Sequence, residues 1–355
     1  MTSPFHIRGF YHDQVLDWWV CDGRVTLEPI AGAPTIAEGW ILPGLVDAHC
    51  HIGLGSQGGV EPEVAEEHAR ADIASGVTLV RDAGSPINTH WLDERVDMPR
   101  IIRAGRHIAR TARYIRGFAV EVEPENLVEE VRRQARAGDG WVKLVGDWID
   151  RGLGDLAPLW PSDTARKAIN AAHEEGARVT AHCFGEESVY ELVRCGIDCI
   201  EHGSGLDGST VEIMAEQKIA LVPTLDNWKI FPGIADSAQE KYPTYAAHMR
   251  ELYRKRIDTI TMAFEASVPI YAGTDAGGTR AHGTLLDEIL ALAQIGGVDF
   301  ALGAASWRAR EWLGRPGLGD GTPADLIVVP ENPRENLRTL AEVSLVVIGG
   351  HLLRY

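Results

Sequence analysis

The 355-residue chain is poor in lysine, poor in cysteine and short of basic charge. Of its 34 basic residues only six are lysines, so a lysine inside an apolar run stands out. Against those 34 stand 51 acidic residues, a formal net charge of −17. That balance argues against a nucleic-acid or anionic-membrane partner, because phosphate recognition relies on basic patches. The five cysteines, Cys21, Cys50, Cys183, Cys195 and Cys199, form no C-x-x-C pair and are odd in number. They do not read as a disulfide framework but as small buried hydrophobes, which suits a reducing, cytoplasmic compartment. No apolar stretch approaches the ~18 residues of a membrane span, and MTSPFHIRGFYHDQ lacks the pattern of a secretory leader. What is present is ordinary for a globular chain: 45% hydrophobic and 24% charged residues, enough to bury a large core.

Short apolar runs alternate with charged, helix-periodic stretches from about Ile41 to about Ile295. In order the runs are ILPGLVDAH, VTLVRDAG, RIIRAG, WVKLVGD, RVTAHCF, DCIEHG, IALVPTL and VPIYAGTDAG. Strands alternating with helices predict an α/β fold with a parallel sheet. Eight such units in roughly 250 residues are the size of a (β/α)8 TIM barrel. Ser162 and Gly176 are expected to cap the helix between them. The segment TARYIRGFAVEVEPE after the third run, and residues 225–245 after the seventh, are expected to be loops over the barrel mouth. LGAASWRAREWLG is expected to be one amphipathic helix. Residues 1–45 and 322–355 carry strand-like runs that cannot bury both faces alone. Together they predict one small β-sandwich domain beside a barrel of residues 46–321.

His49 and His51 stand two apart at the end of a strand-like run, and a strand turns such residues to one face. Two imidazoles on one face suit a metal. His182 and His202 each end another apolar run before a glycine turn, and Asp275 ends the eighth. In a barrel of this kind all these ends converge on one face. Lys143 lies inside the apolar run WVKLVGD, where a charge is costly. Burial would lower its pKa, and a neutral amine can take up carbon dioxide to give a carbamate, an anionic oxygen ligand. An edge strand with a snorkelling lysine is the plainer alternative.

The order and setting of His49, His51, Lys143, His182, His202 and Asp275 resemble the amidohydrolase superfamily. PGLVDAHCH, AGTDAGG, GTPADLIVVPENP and VIGG match its flanks, and the likeness spans nearly the whole chain. The nearest branch is imidazolonepropionase-like and prolidase-type. The resemblance implies two divalent metal ions, zinc first among the candidates. One would take His49, His51 and Asp275, the other His182 and His202, with carbamylated Lys143 and a hydroxide bridging. It implies hydrolysis of a C–N amide bond in a peptide, N-acyl or cyclic amide, with Asp275 as proton shuttle. Tyr114, in TARYIRG, stands where prolidase-type relatives carry a histidine, and a phenol there could hydrogen-bond the scissile carbonyl.

Lactone, ester or phosphotriester hydrolysis, a mononuclear deaminase and a non-catalytic metal-bound scaffold remain alternatives. Lys143, and Gly185 where deaminases carry a glutamate, speak against the deaminase. Arg113, Arg116, Arg280 and His282 are candidates to grip a small-molecule substrate. Trp148, Trp228 and Tyr242 could wall an apolar pocket. A homo-oligomer stays open.

Overall fold

The computed structural model describes residues 3–11 and 14–353. Seven of the eight expected runs form strands: Leu45–Gly55, Val77–Asp82, Arg100–Arg103, Trp141–Val145, Arg178–Cys183, Cys199–His202 and Ala220–Val222. Within two sheets they pair in parallel and in chain order. The strand Ile108–Arg110 continues the third run and meets Trp141–Val145. Nearly every residue of these strands is buried, as both faces of such a sheet are covered.

The eighth run is extended for only a short part. Ile270 bridges Leu221, and Ala276–Gly278 pairs with the first strand. Between them Gly273 presses against its neighbours: a Cβ there would fall 2.5 Å from Val222 and 2.7 Å from the His49 Cβ. Only a residue without a side chain lets this segment lie so close to His49. The Asp275 amide then donates to the His49 carbonyl at 2.7 Å, which sets the carboxylate beside the histidines.

The two chain ends share one seven-stranded sheet, ordered His351–Leu353, Leu345–Ile348, Leu326–Val329, Thr35–Pro43, Phe5–Tyr11, Gln14–Cys21 and Arg24–Thr26. The two layers of the expected sandwich are not part of this pairing. Side chains alternate between its faces. Leu326, Val328 and Val347 join a cluster with Phe5, Ile7 and Trp18, while Ile327, Val329 and Val346 join the main core.

Several local expectations need correction. Ser162 is the first residue of its helix, after Pro161, and its hydroxyl donates to Glu191 rather than capping. Gly176 does follow that helix, at φ +78°. Residues 225–245 are not one loop: a 3-10 turn, Asn227–Ile230, leads into a helix, Phe231–Ala238, ahead of the long helix Pro243–Glu265. Phe231 and Ala235, one helical turn apart, are both buried, and Pro232 suits the helix start. LGAASWRAREWLG breaks at Ser306 into two helices, Val298–Ala305 and Trp307–Trp312: the Ser306 backbone leaves the helical region (φ −143°, ψ −105°), and its hydroxyl donates to the Pro43 carbonyl at 2.8 Å.

Candidate metal centre

His49 and His51 project from the strand Leu45–Gly55, and Asp275 comes to them from the eighth segment. His49 Nε2 lies 3.0 Å, and His51 Nε2 3.2 Å, from Asp275 Oδ1. The two imidazole Nε2 atoms are 3.3 Å apart. His51 Nδ1 donates to the Gly84 carbonyl at 2.7 Å, which leaves the Nε2 lone pair facing inward.

His182 is the penultimate residue of Arg178–Cys183, and His202 ends Cys199–His202. Their ring centres are 4.7 Å apart, and that of His202 is 5.3 Å from that of His49. His202 Nδ1 is held 2.7 Å from the Thr224 hydroxyl. His182 Nε2 is buried without a hydrogen-bond partner. All six sequence-predicted ligands therefore face one chamber.

The backbone is bent to achieve this. His202, Thr224 and Asp275 have φ values of +65°, +49° and +56°. A residue other than glycine held there costs of order 1–3 kcal/mol, and such strain collects at functional sites.

Electrostatics favour metal binding. Burial is the largest influence on His49, His182 and His202, and drives their pKa values well below normal, so the imidazoles are neutral donors. Burial alone would raise Asp275, but a proton on His49, or on neighbouring His51 or His202, draws the carboxyl well below the usual range. Lys143 is buried and its pKa is brought down to about 7, chiefly by desolvation. Its ammonium abuts Glu201, whose other oxygen takes Arg81 and the Thr180 hydroxyl, each at 2.9 Å. An orphaned imidazole nitrogen, neutral histidines and a converging carboxylate suit a divalent metal ion, and His49, His51 and Asp275 bring their donor atoms together for one.

The chain belongs to the amidohydrolase family. Residues 40–353 match the family profile. Relatives are known at several distances. An uncharacterised protein of Mycobacterium tuberculosis is 55% identical over 350 residues, 97% of this chain and 94% of that one. Ochratoxinase of Aspergillus niger is 24% identical, with 88% of this chain and 75% of the relative aligned. A crystal structure of a Xaa-Pro dipeptidase with methionine bound superposes with a TM-score of 0.85 at 23% identity, covering 99% of this chain and 100% of that one.

The other candidates are placed as follows. Tyr114 lies beside the centre, its ring 6.1 Å from His182 and 4.8 Å from Trp148, and both it and Trp148 line the chamber. Arg113 is turned aside: it pairs with Asp150 at 2.8 Å and donates to the Trp148 and Ala157 carbonyls. Arg280 reaches the chamber wall but is paired with Asp226 at 2.9 Å. His282 is drawn to Asp72, 2.9 Å away, and stacks on His68. Trp228 is a core residue whose indole donates to the Pro223 carbonyl at 2.7 Å. Tyr242 is half-buried against the core, and Arg116 is exposed.

Three residues escaped the sequence reading. Asn227 donates its amide to Asp275 Oδ2, and its own carbonyl oxygen is buried without a partner. Glu201, beside His202, meets Lys143. His107 is buried with both ring nitrogens unpartnered, its ring 5.7 Å from that of His51 and 5.6 Å from that of Tyr114. The signal for Glu201 was available: a carboxylate in the apolar run DCIEHG is as costly as the lysine in WVKLVGD.

Proposed function

We propose that the protein is a metal-dependent hydrolase of C–N acyl bonds. Its two divalent ions, zinc by preference, would be held by His49, His51, Asp275, His182, His202 and a carbamylated Lys143. The observation that carries this reading is the meeting of His49 Nε2, His51 Nε2 and Asp275 Oδ1 within 3.0–3.3 Å of one another, in the wall of a chamber that His182 and His202 also line. The order of the parallel strands supports a (β/α)8 barrel with this centre at the strands' C-terminal ends.

Bound there, such ions supply Lewis acidity toward an acyl oxygen and make water a stronger acid. The remaining work falls to the chain. Asp275, ionised and oriented by the Asn227 amide, takes the proton of the attacking water and returns it to the leaving nitrogen. An amide nitrogen is a poor leaving group until protonated, so the shuttle suits C–N cleavage. Burial pushes the Tyr114 phenol up, so it stays protonated and able to donate to the acyl oxygen as negative charge develops there. Lys143, half neutral near pH 7, is the amine that would take up carbon dioxide with loss of one proton.

The test is elemental analysis of protein purified without chelator, joined to a hydrolysis screen of zinc-loaded protein. The screen spans N-acyl amino acids, anilides, cyclic amides, lactones and aryl esters. About two equivalents of metal and chelator-sensitive amide cleavage are expected. Metal-free protein that cleaves equally well, or metal-loaded protein that cleaves none of them, would overturn the reading.

A further inference from the structure

The chamber over the centre has a volume of about 360 Å³. Beyond the six ligands its walls are mostly apolar, with Leu54, Ile115, Phe118, Trp148, Ile230 and Ile234, and the polar side chains among them are Ser56, Tyr114, Asn227, Thr279 and Arg280. Ile115 and Ile230 are 39% and 43% exposed, so the rim is greasy as well. A greasy rim leading to an apolar interior marks a place for an apolar group.

The charges are as informative. Apart from Lys143 and Asp275, the one charged residue among the described lining residues is Arg280. Its guanidinium is paired with Asp226 at 2.9 Å and tied by its Nε to the Thr274 carbonyl at 3.1 Å. Lys229 also pairs with Asp226, but its side chain is 70% exposed and lies outside the lining. No carboxylate other than Asp275 lines the chamber among the described residues. A dipeptide entering here brings an α-ammonium with no anion to meet it but Asp275, whose oxygens are already engaged by His49, His51 and Asn227. Its α-carboxylate meets only a cation already paired. Stripping water from both ends without new partners is costly.

We infer, on the hydrolase reading above, that the chamber selects uncharged amides with apolar substituents and rejects zwitterionic dipeptides, with Asp226 masking Arg280 as the selectivity element. The selectivity lies in what the walls lack as much as in what they offer.

Three matched compounds test this on zinc-loaded protein: phenylalanyl-leucine, N-acetylphenylalanyl-leucine and N-acetylphenylalanyl-leucinamide. The neutral amide is expected to exceed the zwitterion in kcat/KM by about tenfold or more. Asp226→Asn leaves Arg280 unmasked and should raise the rate of the acetylated acid relative to the neutral amide by about fivefold. A zwitterion cleaved as fast as the neutral amide, or an acid-to-amide ratio untouched by Asp226→Asn, would overturn the inference while leaving the hydrolase standing. If none is cleaved, calorimetric titration with the same compounds decides. Tighter binding of the neutral amide upholds the chamber's selectivity, the hydrolase reading being decided by the wider screen above; equal or absent binding overturns the selectivity.

Discussion

The Lys143 ammonium abuts the Glu201 carboxylate inside the strand layer, where both side chains are almost wholly buried. Glu201 is shared with Arg81, so the lysine is held by an anion that already has a second cation. That arrangement keeps the Lys143 amine fixed beside His49, His182 and His202, and burial, the largest influence on it, brings its pKa down to about 7. A lysine kept merely as structural filler has no need of such a setting. Lys143→Ala is therefore expected to reduce bound metal from about two equivalents to about one, and to lower kcat by about 10² or more. Elemental analysis and amidase assays on the same sample check both. A variant with full metal and full rate would remove the bridging role.

The strand ends and their histidines were legible because each local signal agreed with the rest. Apolar runs, glycine turns and the i, i+2 spacing of His49 and His51 all pointed to one face. The eighth segment was half legible. Asp275 was found from its glycine turn, but Pro269 and the tight approach at Gly273 leave little of that run in a regular ladder. Arg113 shows where the reading had to stop: its spacing marks it as a loop arginine, yet only the folded chain brings Asp150 to it from 37 residues away. His107 and Asn227 were missed for a related reason. Each stands in a segment with no period, and its meaning arises from what it meets in the fold: His51 and Tyr114 for His107, Asp275 for Asn227.

The carboxy-terminal strands form the next test. Leu326–Val329 pairs with Thr35–Pro43 on one side and Leu345–Ile348 on the other, so it is an interior strand of its sheet. Ile327, Val329 and Val346 also reach the main core. Deleting the chain from Thr322 onward would open an edge along Thr35–Pro43 and bare that apolar surface. Aggregated or poorly soluble protein is expected on size-exclusion chromatography. A soluble truncation with a cooperative melting transition would show that residues 1–45 and 322–355 do not depend on each other.

His248 carries a pH prediction remote from the centre. Its two ring nitrogens each lie 2.9 Å from a carboxylate, Glu186 and Asp155, tying the long helix to two neighbouring elements. Those partners, Glu186 first, raise its pKa to about 9 against the usual 6.5. The folded value lies above the unfolded one. The stabilisation is thus complete below the ordinary pKa and fades as pH rises through about 9. After allowance for solvent screening it is worth about 1–2 kcal/mol. His248→Gln should lower the melting temperature by a few degrees at about pH 6 and by almost nothing at about pH 10. An equal loss at both values would mean that the ring acts by packing alone.

Asp275 bears the heaviest expectation. One of its oxygens faces His49 and His51, and the other is held by Asn227. A carboxylate with one oxygen committed to ligand atoms and the other steadied by an amide is placed to bind and to move a proton. Asp275→Asn keeps the shape and one coordinating oxygen but cannot carry the proton. The rate constant should fall by about 10²–10⁴, the usual scale for a lost general acid–base group. The loss should be greater for amides than for esters with good leaving groups, because the amide nitrogen must be protonated before it departs. Metal content has to be measured on the same preparation, since a lost ligand would also lower the rate. An Asp275→Asn protein that keeps its metal and cleaves amides at the parent rate would assign the proton transfer to another group.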